Sequence, residues 1–353
     1  MGNDAVFLMI GDLAVHWNGL IIMLAAAAGA ALACYARTRQ GYGLDDMLIA
    51  VMASMAAALA GSRIYYCWNA SEYFSGIGSM LDLTNGGYAV YGALIGAVIA
   101  TAATALIRRV DPWELLDAQA PGLALAIAIG RWGAAFTGEN LGDVTESLTF
   151  FPFAMYSEAE GEWRSCLFVY QSLIAAVLCA VLMKLVEGRY VRRTLGCRSG
   201  NIYLMFLLCY CLSQGVFEIY RTDRLYFHPI FINKLKTVPI SLAVGAVISA
   251  AVLSVFILRA MFKDRLRLTL GTLWPVAACA AGYVCYFNVT MRFPLSDTLA
   301  ILLAVIGAVI LIATGWVLFV NELRQTPSLP QNPRRRSAPS PRRTAPEANS
   351  YWD

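Results

Sequence analysis

Charge is scarce in this sequence. Asp, Glu, Lys and Arg make up 14% of its 353 residues and 59% are hydrophobic, where soluble domains carry about a quarter charged. That balance excludes an ordinary water-soluble domain and predicts an all-α polytopic membrane protein. Histidine is scarcer still, at two residues. His16 opens the first apolar run and His228 stands beside Pro229, neither near a cysteine at metal-ligand spacing, so no metal site is expected. The nine cysteines fall mostly inside apolar runs and read as small buried hydrophobes. Only Cys67 and Cys166, both near one side, are candidates to pair. No basic leader follows Met1, so the first span is expected to act as its own insertion signal. No internal repeat is found, which argues against the inverted-repeat plan of many transporters.

What the chain has in quantity is apolar runs of about twenty residues, each long enough to cross a bilayer. They lie at 13–35, 44–67, 86–107, 114–136, 166–186, 201–220, 238–261, 268–287 and 297–320. Arg and Lys gather in the odd-numbered connections: Arg37 and Arg39; Arg108 and Arg109; Arg189, Arg192, Arg193 and Arg198; Lys263, Arg265 and Arg267. By the positive-inside rule these face the cytoplasm. The N-terminus is then outside and the C-terminus cytoplasmic. The sixth connection, with Arg221, Arg224, Lys234 and Lys236, breaks the pattern, a sign that those charges serve something besides topology.

The most informative stretch is residues 130–142, GRWGAAFTGENLG, at the end of an uncharged run from Pro121 to Ile129. Arg131 and Glu139 stand among glycines 130, 133, 138 and 142. Ionisable groups at membrane depth are costly and mark function by default, and so many glycines break a helix and admit a ligand to the backbone. The plainer alternative is a kinked helix end whose Arg131 snorkels to the headgroups. Arg63 lies eighteen residues beyond Asp45, at about 1.5 Å per residue roughly the hydrocarbon thickness, which places it at the outer interface. Gln214, Glu218 and Arg221 share one helix stripe at the same side. They serve a site or form an internal Glu218–Arg221 pair. Gly92 and Gly96 share a face suited to close helix packing. Arg63, Arg131, Glu139, Glu218 and Arg221 thus converge on one side, as a polar cavity would require. Arginines around glycine-rich backbone suit a phosphate, and apolar walls suit acyl chains. The residues therefore point to a phospholipid site with the reaction left open.

The run Asp117-Ala-Gln-Ala-Pro121 followed by GRWGAAFTGENLG resembles the signature region of the prolipoprotein diacylglyceryl transferases. That pattern is Asp and Ala-Pro, then Gly-Arg-x-Gly-Asn-Phe-x-Asn-Gly-Glu, then Gly. Further pieces fit in order: His16-Trp17-Asn18-Gly19, Ser62-Arg63-Ile64-Tyr65-Tyr66, Gly86-Gly87 with Tyr91-Gly92-x-Leu94-Ile95-Gly96, and Phe217-Glu218-x-x-Arg221. The resemblance covers roughly residues 10 to 262. It implies a seven-span transferase-like core over 1–262, two extra transmembrane helices over 263–320, and a disordered, basic, Pro-rich tail over 321–353.

The resemblance implies transfer of a diacylglyceryl group from phosphatidylglycerol to the lipobox cysteine of a preprolipoprotein, at the bacterial plasma membrane. Its partners would be phosphatidylglycerol, preprolipoprotein signal peptides and membrane lipid, with no cofactor, metal or nucleic acid. Arg131 would hold the phosphate and Glu139 the lipid head. Arg63 and Arg221 would add positive charge, with Glu218 orienting Arg221. Tyr91 stands where many members carry a histidine proposed as base. Gly86, Gly87, Gly92, Gly138, Gln214 and Tyr170 would line the substrate. The chain departs from the pattern at Asn18 (for Tyr), Ala134 and Thr137 (each for Asn) and Gln214 (commonly Arg). A loop that usually reads His-Pro-Ser-Gln-Leu-Tyr-Glu keeps only Tyr170. These departures leave a second reading open, a catalytically altered or inactive phospholipid-binding homologue. A transporter is the third.

Overall fold

The computed structural model describes residues 6–10, 13–40, 43–69, 78, 87–157, 160–187, 199–218, 220–221, 240–263 and 297–325. The expected eighth span, Gly86 and the tail from residue 326 on lie outside them, while residues 321–325, expected in the tail, continue the last helix. Strands β1 (Val6–Ile10) and β2 (Leu13–His16) form an antiparallel hairpin that leads into α1 (Trp17–Arg39). Then follow α2 (Asp45–Asn69), α3 (Val90–Arg108), α4 (Pro112–Gly130), α5 (Ala134–Thr137), a second hairpin of β3 (Ala154–Ser157) and β4 (Glu162–Ser165), α6 (Leu167–Glu187), α7 (Asn201–Glu218), α8 (Ile240–Lys263) and α9 (Asp297–Gln325). Among the described residues, five helices (α1, α2, α3, α6 and α7) are long and apolar enough to cross a membrane, and α8 and α9 contain shorter apolar stretches. The chain is an all-α polytopic membrane protein.

Three expected boundaries shift, each for a local reason. The first helix starts at Trp17 rather than 13, because residues 13–16 pair with β1 and His16 is extended at φ −90°, ψ 149°. The third starts at Val90 because Gly87 sits at φ +80°, outside the helical region. The fourth starts at Pro112, where the Asp111 carboxylate accepts the Trp113 N–H at 3.0 Å and proline occupies the first turn. Nor does the glycine-rich stretch break this helix where expected. Gly130 and Gly133 keep right-handed helical angles, so α4 runs on through one 3-10 turn, Arg131–Gly133, and then α5. It stops at Gly138, whose φ of +70° ends the helical path.

Close backbone contacts set the helix pairs. A Cβ on Gly29 of α1 would lie 2.6 Å from the Gly122 carbonyl oxygen of α4. Gly92 and Gly96 of α3 press in the same way on Gly61 and Ala57 of α2. Small residues let membrane helices approach until their backbones touch. Helix α7 is the centre of the bundle. Its membrane window is 72% buried, against 22–39% for the other four spans. Leu204, Leu208 and Leu212 on one face join Leu253 and Phe256 of α8 and Leu311 and Phe319 of α9 in one cluster. Tyr203, Phe206 and Tyr210 on another join Tyr91, Leu116 and Leu182 of α3, α4 and α6. A helix apolar all round is one buried on all sides.

Opposite ends of the bundle differ in kind. At the end holding residues 37–40, 43–46, 108–117, 187 and 199–203, Asp117 is buried and accepts the backbone N–H of Gly200 (2.7 Å) and Tyr203 (2.8 Å). A carboxylate there satisfies the orphan donors that begin α7 and opposes its dipole. Arg37–Glu114 (3.5 Å), Arg39–Glu187 (3.4 Å) and Arg108–Asp46 (2.7 Å) pair at the same end. The other end carries the candidate site.

Candidate functional site

Arg131 occupies the first position of the 3-10 turn that prolongs α4, so its side chain leaves the helix end toward α7. The half-buried guanidinium donates to Gln214 Oε1 at 2.8 Å and to the Tyr210 hydroxyl at 3.4 Å. Among the described residues no carboxylate pairs with it. Tyr210, Gln214 and Glu218 follow at intervals of four and form one stripe down α7. Glu218, 6% exposed, pairs with Arg221 at 3.7 Å. A cation ringed by neutral partners keeps most of its charge for a ligand, and a planar guanidinium fits a phosphate with two donors at once.

Arg63, only 5% exposed at the top of α2, donates to the Gly87 carbonyl at 3.2 Å and lies 5.8 Å from the Tyr88 ring centroid. Gly87 has a second constraint beyond its φ, since a side chain there would overlap the Tyr66 ring. Glycine is therefore required at 87 by both angle and space. Gly92, expected at the substrate, faces α2 instead. Its missing side chain makes room for the Gly61 backbone and the Tyr65 Cβ, and its contacts are those of helix packing. Tyr91 is buried in the cluster that also holds Tyr210 and Cys211, with its hydroxyl against Gly245 of α8. Glu139 is exposed just past Gly138, and its N–H meets Thr137 Oγ1 at 3.3 Å. Tyr170 is half-buried on α6. Cys67 and Cys166 are both buried, and no disulfide joins them.

Several supporting residues escaped the reading of the sequence. Asn140, at φ 54° and buried, donates to Gln171 Oε1 at 2.6 Å and ties the signature loop to α6. Trp132 Nε1 donates to Ser172 Oγ at 3.0 Å, and that hydroxyl donates to the Ala128 carbonyl at 2.6 Å. Asn18 sits against Gly133, where any Cβ would overlap its side-chain oxygen, and Trp17 stacks on Phe136 with centroids 5.6 Å apart. Tyr210 was within reach, because it lies one turn before Gln214 on a stripe already recognised. The Asn140–Gln171 and Trp132–Ser172 bonds join residues thirty or more apart, and no local spacing signals them.

Fold and site together define a polytopic membrane protein with Arg63, Arg131 and Arg221 at one end of its helices. The profile described as prolipoprotein diacylglyceryl transferase matches residues 5–250. The chain belongs to that family. It is 29% identical over 238 residues to a phosphatidylglycerol–prolipoprotein diacylglyceryl transferase of Lactococcus lactis subsp. cremoris, covering 67% of this chain and 89% of the relative. Relatives of the same description from Streptococcus pneumoniae (strain JJA) and Lactococcus lactis subsp. lactis are 28% identical over 249 residues and 29% over 264. Those alignments cover 69% and 74% of this chain and 93% and 96% of the relatives.

Proposed function

We propose that this chain moves a diacylglyceryl group from phosphatidylglycerol to the lipobox cysteine of a preprolipoprotein, in the bacterial inner membrane. The cysteine sulfur attacks a glyceryl carbon. A carbon–sulfur bond forms as the carbon–oxygen bond to phosphate breaks, glycerol phosphate leaves, and the thiol proton passes to a base. The supporting observation is Arg131, half-buried and held by the neutral Tyr210 and Gln214. In this reading Arg131 binds the phosphate and meets the charge that grows on it. Arg63 and Arg221 add positive potential, Glu218 orients Arg221, and Glu139 and Tyr170 meet the lipid head. Tyr91 is the phenol offered as base, which requires a cation near enough to favour its ionised form. The arginine-rich connections set the site end outside, with the N-terminus there and the C-terminus cytoplasmic.

One observation favours the alternative of a lipid-binding homologue without transfer. Ala134, where the signature has Asn, packs against the apolar cluster of Leu141, Cys166 and Phe168 and offers no polar group. Complementation separates the two readings. The chain is expressed in a bacterium depleted of its own diacylglyceryl transferase, and lipidation of a reporter preprolipoprotein is followed beside an Arg131→Ala copy. Lipidation by the parent and its loss in Arg131→Ala is the expected result. No lipidation, with folded parent protein in the membrane, overturns the transferase reading in favour of the lipid-binding one.

A further inference from the structure

Helix α9 lies beyond residue 250, where the family match ends, yet it is not a loose appendage. Ala308, Leu311, Leu318 and Phe319 are buried against α7 and α8. Gly315 sits directly against Leu208 of α7, whose side-chain methyl a Cβ at 315 would overlap. Leu208 is fully buried and lies two residues before Tyr210, which at 100° per residue turns the two side chains to opposite faces of α7. One face of α7 thus bears on Gly315 and the other presents Tyr210 and Gln214 to Arg131. Packed interiors transmit displacement, because they have little free volume to absorb it.

We propose that α9 is a brace holding α7 so that its Tyr210–Gln214 stripe meets Arg131, with Gly315 and Leu208 as positioning residues. The idea rests on the transferase reading of that site. A side chain at 315 pushes α7 toward α4, and the guanidinium loses the two partners that aim it. Phosphate binding weakens while the charged groups all remain.

The test uses the full chain in nanodiscs, as parent, Gly315→Leu, and Gly315→Leu with Leu208→Ala. Binding of short-chain phosphatidylglycerol and transfer to a lipobox peptide are both measured on protein shown to be folded. Gly315→Leu is expected to raise the lipid KM and its dissociation constant about tenfold with a smaller change in kcat. The added Leu208→Ala, which restores the volume, is expected to bring both within about threefold of the parent. A folded Gly315→Leu protein that binds and transfers like the parent overturns the brace. So does a loss that Leu208→Ala leaves unrescued. A parent that binds lipid but transfers nothing overturns the transferase reading alone, and the brace is then judged on binding. A parent that does neither overturns both.

Discussion

The two ends of the bundle use similar charged residues in opposite ways. At one end three arginines meet acids: Arg37 with Glu114, Arg39 with Glu187, Arg108 with Asp46. Asp117 there closes the start of α7 through two backbone N–H groups. At the other end Arg221 also pairs with Glu218, but Arg131 rests on an amide and a phenol. Paired charges cancel and hold helices in place. An arginine on neutral partners stays positive and addressable, which a phosphate site requires. The difference separates staple from site.

The comparison can be broken by swapping the roles. Arg131→Lys keeps the charge and removes the planar fork, so lipidation of the reporter is expected to fall at least about a hundredfold, since one preorganised donor at a developing charge contributes that much. Parent-like activity would show that only charge matters there. Asp117→Ala removes a cap that serves two N–H groups, and should cost about 2 kcal/mol of stability. Thermal unfolding in detergent would show it, with transfer per folded molecule unchanged. Gln214→Leu, which strips the shorter of the Arg131 hydrogen bonds, should lower kcat/KM about tenfold, chiefly through KM. The smallest effect belongs to Arg39→Ala. Its exposed pair with Glu187 contributes within about 0.5 kcal/mol, and no change in transfer is expected. A large loss of activity there would erase the division between the ends.

Much of this was legible in the sequence for a physical reason. A bilayer demands about twenty apolar residues per crossing, so the membrane class and the places of the described spans follow from hydropathy. The stripe of Gln214 and Glu218 was legible because helical spacing is local, but α7 ends at Glu218 and the expected third member, Arg221, lies beyond the helix. Gly92 and Gly96 already showed a packing face, and α2 fills it. The start of α1 was not legible, since residues 13–16 are as apolar as a helix and only pairing with β1 makes them a strand. Nor was the run of helix past Gly130, where glycine permitted a break that the surrounding packing did not use.

The sequence alone determined that the chain lives in a membrane, and it pointed to Arg63, Arg131 and Arg221 at the end holding the signature. These follow from transfer free energies and from periodicity within one helix. The tertiary structure decided which partner each charge meets. It turned Asp117 into a cap for α7, set Tyr210 and Gln214 on Arg131, gave Gly92 to helix packing, and brought α9 from outside the family match onto α7. Those outcomes depend on contacts between residues tens of positions apart, and such contacts are chosen by how whole helices pack.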